Sequence, residues 1–100
     1  MNKVIFSPEA VQDLENIWLY IAQDSLDRAD NFIDTLRDFC MEDLALFPQI
    51  GGTRDYLSKD LLAIPFKNHM IYYRCRSEHV EIVRVLHGSR DMGSIFNQSK

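Results

Sequence analysis

The spacing of hydrophobic positions changes about half-way along the chain. In the first half, apolar residues recur every three or four positions, which is the spacing of one helix face. In the second half they alternate with polar residues or form short β-branched runs, which is the pattern of strands. Helices followed by strands are typical of the α+β class. We therefore predict one α+β domain over residues 1–100, in the order β-α-α-β-β-β, with a small, mainly antiparallel sheet packed against a helical hairpin.

The helical half is predicted to follow a short first strand at residues 4–6. Ser7 is placed to cap the first helix, and Asp24-Ser25 separates it from the second. Pro48 ends the second helix, and residues 49–55 are expected to be a loop. Asp13 falls on the side of the first helix that is expected to face water. The predicted apolar stripes are Val11, Leu14, Ile17, Trp18 and Ile21 on the first helix, and Ala29, Phe32, Ile33, Leu36, Cys40, Leu44 and Phe47 on the second.

Three strands are predicted in the second half. Residues 61–66 form a strand that Pro65 restricts to an edge or an early stop. Residues 69–76 and 81–87 form an antiparallel hairpin, and the latter is the expected central strand. The side predicted to face the helices carries Ile71, Tyr73, Val83 and Val85. The other side, which we call the sheet front, carries Met70, Tyr72, Arg74, Ile82, Arg84 and Leu86, with Arg90 just past the strand end.

The sheet front has the composition of a protein interface, because it mixes aromatic, aliphatic and arginine side chains. We predict that it binds a macromolecular partner. The alternative is that Ile95 and Phe96 fold back over the aliphatic residues while the arginines pair with acids. The residues predicted to contact a partner are Tyr72, Arg74, Arg84, Arg90 and Phe96.

Charge is distributed unevenly along the chain. The net charge is −4, with three Lys or Arg against ten acids in residues 1–50 and eight against five in residues 51–100. Such an uneven charge distribution suits a charged partner that binds on one side of the domain. The pI of about 5.2 argues against a general or sequence-specific nucleic-acid binder. Without a membrane-length apolar run or a signal-peptide core, we expect a cytoplasmic protein with no membrane contact.

Few residues are candidates for chemistry. His69, His79 and His87 lack metal-ligand spacing and there is no C-x-x-C, so no metal or cofactor is predicted. Cys40 and Cys75 lie in apolar patterns, which favours buried thiols over a disulfide. Only His87, which precedes Gly88-Ser89-Arg90, is a candidate general base, and it would need an orienting partner.

Several segments together resemble the ParE branch of the RelE/ParE toxin superfamily. These are residues 7–10 with Leu14, Ile17 and residues 20–21 after them, then residues 44–51, 71–74 and 83–91, in the family's order and spacing. The resemblance implies the same β-α-α-β-β-β fold, a place in a bacterial toxin–antitoxin operon, and neutralisation by a cognate antitoxin that wraps around the toxin.

The resemblance also distinguishes two activities within the superfamily. RelE-type members cleave messenger RNA in the ribosome, with basic residues and often a tyrosine near the carboxy terminus. By alignment, the family's two lysine positions fall on Leu61 and Ala63, its first arginine on Met70, and its terminal tyrosine on Phe96; only one arginine is retained, as Arg90. One arginine can stabilise charge but does not also transfer a proton.

ParE-type toxins are associated with poisoning DNA gyrase and themselves cut nothing. The resemblance therefore implies a type II toxin that binds DNA gyrase, is blocked by its antitoxin and has no catalytic residue. The alternatives are a ribosome-dependent endoribonuclease that uses Arg90 and His87, and a non-toxic relative that only binds an antitoxin.

Overall fold

A five-stranded sheet with a helical hairpin on one side forms the fold. The computed structural model describes residues 2–88 and 95–96. The strands lie in the order β1-β5-β4-β3-β2, with β1 parallel to β5 and the other pairs antiparallel. The elements are β1 Lys3–Phe6, α1 Pro8–Ala22, α2 Leu26–Asp38, a π-helical segment Phe39–Leu44, β2 Gly52–Thr53, β3 Leu62–Phe66, β4 His69–Cys75 and β5 His79–His87. The predicted α+β fold is confirmed, and β2 is a short strand where the sequence predicted a loop.

Both helices begin at the predicted serine caps. The Ser7 hydroxyl accepts a hydrogen bond from the Ala10 amide at 3.0 Å, and the Ser25 hydroxyl accepts one from the Arg28 amide at 3.2 Å. Each cap satisfies an amide that has no partner within its helix. The two serines therefore fix where the hairpin starts and where it turns.

The second helix ends differently from the prediction. Beyond Asp38 it widens into the π-helical segment, in which each turn holds an extra residue. This extra residue rotates the apolar stripe, so that Cys40, Leu44 and Ala45 are buried while Phe47 is 63% exposed. The prediction that Phe47 belongs to the core stripe was wrong, as it was for Val11 of α1, which is 48% exposed.

A β-bulge in β5 changes which side chains share a face. Tyr72 pairs with Arg84 and Tyr73 pairs with Ile82, which leaves Val83 as an extra residue on β5. Ile82 consequently packs with the helices and Val83 packs at the sheet front. The predicted positions of these two residues were therefore exchanged, because a strict period of two does not survive a bulge.

Two apolar clusters cover the two sides of the sheet. The first joins α1, α2 and the π-helical segment to the back of the sheet, including Ile71, Tyr73, Val80, Ile82 and Val85. The second lies at the front and contains Leu61, Ala63, Tyr72, Leu86 and Phe96, with Leu57, Met70, Val83 and Ile95 packed against it. The sheet is thus covered on both sides at its centre.

Tyr73 anchors the loop that leads into β2. This side chain is fully buried, and its hydroxyl accepts a hydrogen bond from the Gly51 amide at 2.8 Å. A Cβ atom on Gly51 would lie 2.6 Å from the Tyr73 hydroxyl and 2.9 Å from the Ala63 carbonyl oxygen. The loop therefore needs glycine here for space rather than for an unusual backbone angle.

We expect Gly51→Ala to lower the free energy of unfolding by about 2 kcal/mol, because the added methyl group overpacks against a buried ring and a strand carbonyl. Gly52→Ala is the matched control, since its Cβ would meet only the flexible Arg54 guanidinium, at 3.0 Å. We expect it to change stability by less than about 0.5 kcal/mol in urea unfolding. Equal losses in the two variants would contradict the close-approach explanation.

Candidate functional site

The start of the first helix forms hydrogen bonds with the edge of β5 beyond the point where β1 ends. The parallel pairing of β1 with β5 stops at Phe6 and Ile82. The Ser7 amide donates to the Ile82 carbonyl at 2.9 Å and the Ser7 hydroxyl donates to the Val83 carbonyl at 2.8 Å. The Val85 amide donates to Oδ2 of Asp13 at 2.9 Å. Since unpaired buried backbone groups are costly, these bonds complete the bulged strand.

Asp13 also holds Arg84 with two hydrogen bonds. Nε and one terminal nitrogen of Arg84 donate to the two carboxylate oxygens at 2.8 and 2.9 Å. The Asp13 side chain is 8% exposed and the Arg84 side chain 26% exposed. The hydrogen bond to Asp13 raises the pKa of Arg84 against the effect of burial. We call this arrangement of Asp13 with Arg84 and the Val85 amide the clasp.

The clasp was missed in the sequence because Asp13 was assigned to the water-facing side of its helix. The signal for it would have been an arginine in an otherwise apolar strand, which needs an acidic partner when it is not fully exposed. The partner lies 71 residues away in the chain, so local spacing does not identify it.

Three other predicted contact residues at the sheet front are also engaged within the chain. Tyr72 is 3% exposed, and its ring centroid lies 5.1 Å from that of Phe96. Burial raises the pKa of the Tyr72 hydroxyl. Arg74 donates to the Lys59 carbonyl at 3.1 Å and to the Ser58 hydroxyl. Phe96 covers the aliphatic residues, as in the alternative considered from the sequence.

The front is therefore not an open surface around Tyr72; it follows the alternative prediction, in which Phe96 folds back and an arginine pairs with an acid. Arg84 pairs with an acid, and Arg74 holds the 58–59 loop. Arg90 lies outside the described residues. That these side chains contact a partner stays a prediction.

A groove lies where the turn end of the helical hairpin, around Asp24, meets the start of β4 and the end of β5. Its volume is about 800 Å³, and we call it the hairpin groove. Apolar side chains of both helices and of β5 line it, and polar and charged side chains surround them. The lining includes Ile17, Ile21, Phe32, Val85 and Leu86, together with Tyr20, Asp24, Arg28, Lys67, His69 and His87.

Two histidines stand next to each other at this groove. His69 and His87 are paired across β4 and β5, with ring centroids 5.3 Å apart. Burial, and then the proximity of His87, lower the pKa of His69. His69 also packs against Phe32 at 5.3 Å. The arrangement favours a neutral His69 that packs as an aromatic ring.

Other chemical groups in the described part of the chain are poorly placed for catalysis. Both cysteines are free thiols, and burial raises the pKa of Cys40 to about 12. The half-buried Cys75 donates to the Pro48 carbonyl at 3.2 Å, and burial raises its pKa too. Among residues 2–88 and 95–96 there is no cluster of three His, Cys, Asp or Glu that could hold a metal ion. Neither α1 nor α2 is long and apolar enough to cross a membrane.

The sequence matches the family described as "ParE toxin of type II toxin-antitoxin system, parDE" over residues 4–92. The chain belongs to the ParE toxin family. It is thus a ParE-type toxin of a type II toxin–antitoxin system, as the resemblance implied.

Solved structures agree with the ParE fold. A chain of the chromosomal ParDE TA system from P. aeruginosa superposes with a TM-score of 0.72 at 14% identity, over 87% of this chain and 96% of that chain. A chain of the toxin–antitoxin complex RelBE2 from Mycobacterium tuberculosis superposes with a TM-score of 0.63 at 23% identity, over 86% of this chain and 96% of that chain. Comparison with curated proteins gave no significant match.

In this ParE-type chain, the four RelE-aligned positions that carry apolar residues pack together. Leu61, Ala63 and Phe96 are 0%, 2% and 7% exposed, and Met70 packs against them. The structure thus gathers the four positions in one place, at the sheet front. They form hydrophobic contacts where a nuclease would need basic and proton-transferring groups.

We expect Asp13→Asn to lower the free energy of unfolding by about 3 kcal/mol, because it leaves a largely buried arginine without its charge partner. Glu15→Gln, an exposed acid on the same helix, is the control and should cost less than about 0.5 kcal/mol. Chemical denaturation of both variants measures the difference. If the two variants unfold alike, the clasp does not stabilise the fold.

Proposed function

We propose that this ParE-type toxin inhibits growth by binding DNA gyrase and trapping its cleaved DNA, and that a cognate antitoxin neutralises it. The observation that carries the proposal is the apolar cluster of Leu61, Ala63, Met70 and Phe96 at the nuclease-aligned positions. Membership in the ParE family supports gyrase as the target.

Cleavage of RNA through its 2′-hydroxyl requires a group that removes a proton and groups that stabilise the phosphate. Aliphatic and phenyl side chains do neither. Tyr72 is the phenol next to this cluster, but burial raises its pKa and Phe96 lies against its ring. The front cluster therefore supports a toxin that acts by binding.

His87 is the described residue on which the nuclease alternative depends. It is exposed at the end of β5, where it packs edge-on against His69. The ring beside it, His69, has a pKa that burial lowers, which favours an uncharged neighbour that packs against His87. The proposed mechanism needs no proton transfer by His87.

We expect the purified toxin at stoichiometric excess to block DNA supercoiling by gyrase and to increase gyrase-linked DNA breaks. We also expect His87→Ala to remain toxic when expressed without antitoxin, because the proposed mechanism needs no proton transfer by this residue. Supercoiling and cleavage assays, with growth measurements, check both results.

Unchanged gyrase activity would contradict the proposal. Primer extension on cellular messages after induction gives a second, independent readout, because only a nuclease produces new codon-positioned ends. Such ends, together with loss of toxicity in His87→Ala, would favour the endoribonuclease. Normal growth on expression of the wild-type chain alone would favour a non-toxic relative.

A further inference from the structure

We propose that the hairpin groove is the docking site for an acidic, amphipathic segment of the antitoxin. This inference rests on the proposed neutralisation by an antitoxin and adds where the antitoxin binds. It moves the predicted contact from the front face of the sheet to the groove between α1, α2 and the β3–β4 turn.

The shape of the groove fits a peptide segment with one apolar side. The groove is open to solvent, and its volume of about 800 Å³ is lined by Ile17, Ile21, Phe32 and Val85. Tyr20 stands beside it with 76% of its surface exposed. An exposed tyrosine next to an apolar cleft is a common anchor in protein interfaces. Apolar side chains of the partner would cover this lining and the Tyr20 ring.

The charges at the groove favour carboxylates on the partner. Arg28 and Lys67 line it from α2 and from the β3–β4 turn. Within the described residues neither forms an ion pair, whereas Arg76 pairs with Glu81 and Arg84 with Asp13. Lys67 Nζ instead lies 5.6 Å from the Phe32 ring centroid and 5.8 Å from that of Phe66. A carboxylate that binds here would meet two cations beside an aromatic surface.

A tight turn between β3 and β4 presents Lys67 to the groove. Its φ angle is 54°, a value that glycine or asparagine adopts at lower cost than lysine. Asn68 follows directly in the same two-residue turn. A positive φ is common in a two-residue hairpin turn, so the turn geometry accounts for the Lys67 backbone and places this residue at the groove.

The surrounding acids argue against a nucleic acid as the occupant. Asp24 lines the groove itself, and Asp27, Asp30 and Asp34 are exposed on the adjacent helix. A continuous phosphate backbone would be repelled by these acids. A peptide carries its carboxylates at chosen positions, so two of them can reach Arg28 and Lys67 while avoiding Asp24.

The test uses the full toxin and its full-length cognate antitoxin, with binding measured by calorimetry at low and high salt. The groove variant combines Arg28→Glu with Lys67→Asn. Neither change should impair folding, because Ser25 and a glutamate at position 28 complete a capping box and asparagine tolerates the positive φ of position 67. Lys59→Glu with Lys3→Asn, at two exposed lysines that do not line the groove, changes the net charge by the same amount and is the matched control.

We expect the groove variant to bind the antitoxin about tenfold more weakly at low salt, with a smaller difference at high salt, while the control binds like the wild type. Unfolding curves of the variants should match that of the wild type. Unchanged affinity of the groove variant would overturn the groove assignment and leave neutralisation by the antitoxin in place. Failure of the wild-type toxin to bind the antitoxin would overturn both. Tighter binding of duplex DNA than of antitoxin, lost in the groove variant, would overturn the peptide assignment.

Discussion

The contact of Asp13 with β5 holds the two layers of this toxin together. The carboxylate accepts three hydrogen bonds, two from Arg84 and one from the Val85 amide. These bonds lie beyond the last residue of β5 that pairs with β1, next to the β-bulge at Val83. A helix that completes the hydrogen bonding of a strand fixes its own position along that strand. The hairpin, and with it the groove at its turn end, is thereby placed relative to the sheet.

The clasp also determines which surfaces remain for partners. Because Arg84 is held by α1 and Arg74 by the 58–59 loop, the sheet front presents fewer available cations than its sequence suggests. Phe96 and Ile95 cover the aliphatic centre of the front. At the opposite end of the strands, Arg28 and Lys67 flank an apolar groove. Under the proposed function, such a surface can serve one macromolecule and the remaining exposed surface another.

The sequence predicted those features that depend on local pattern. Ser7 and Ser25 cap helices as expected, and the alternation of Met70 to Cys75 gave the correct faces of β4. The family followed from scattered short segments that agree in order and spacing. What failed depends on single-residue insertions: the bulge at Val83 and the π-helical segment each interrupt the regular period, so Ile82, Val83 and Phe47 were misplaced. Val85 and Leu86, beyond the bulge, lie on their predicted faces. The clasp and the groove join residues far apart in the chain, and periodicity does not reveal such pairs.

Hydroxyl-radical footprinting of the toxin with and without its antitoxin tests most directly whether the partner engages the groove end of the molecule. Two tyrosines are suited to it, because Tyr20 at the groove is 76% exposed and Tyr56, in the loop near Tyr72, is 79% exposed. Their matched exposure gives them similar reactivity in the free toxin. We expect the antitoxin to protect Tyr20 from oxidation and to leave Tyr56 reactive. Protection of Tyr56 with Tyr20 unchanged would place the partner on the sheet front and contradict this description of the molecule.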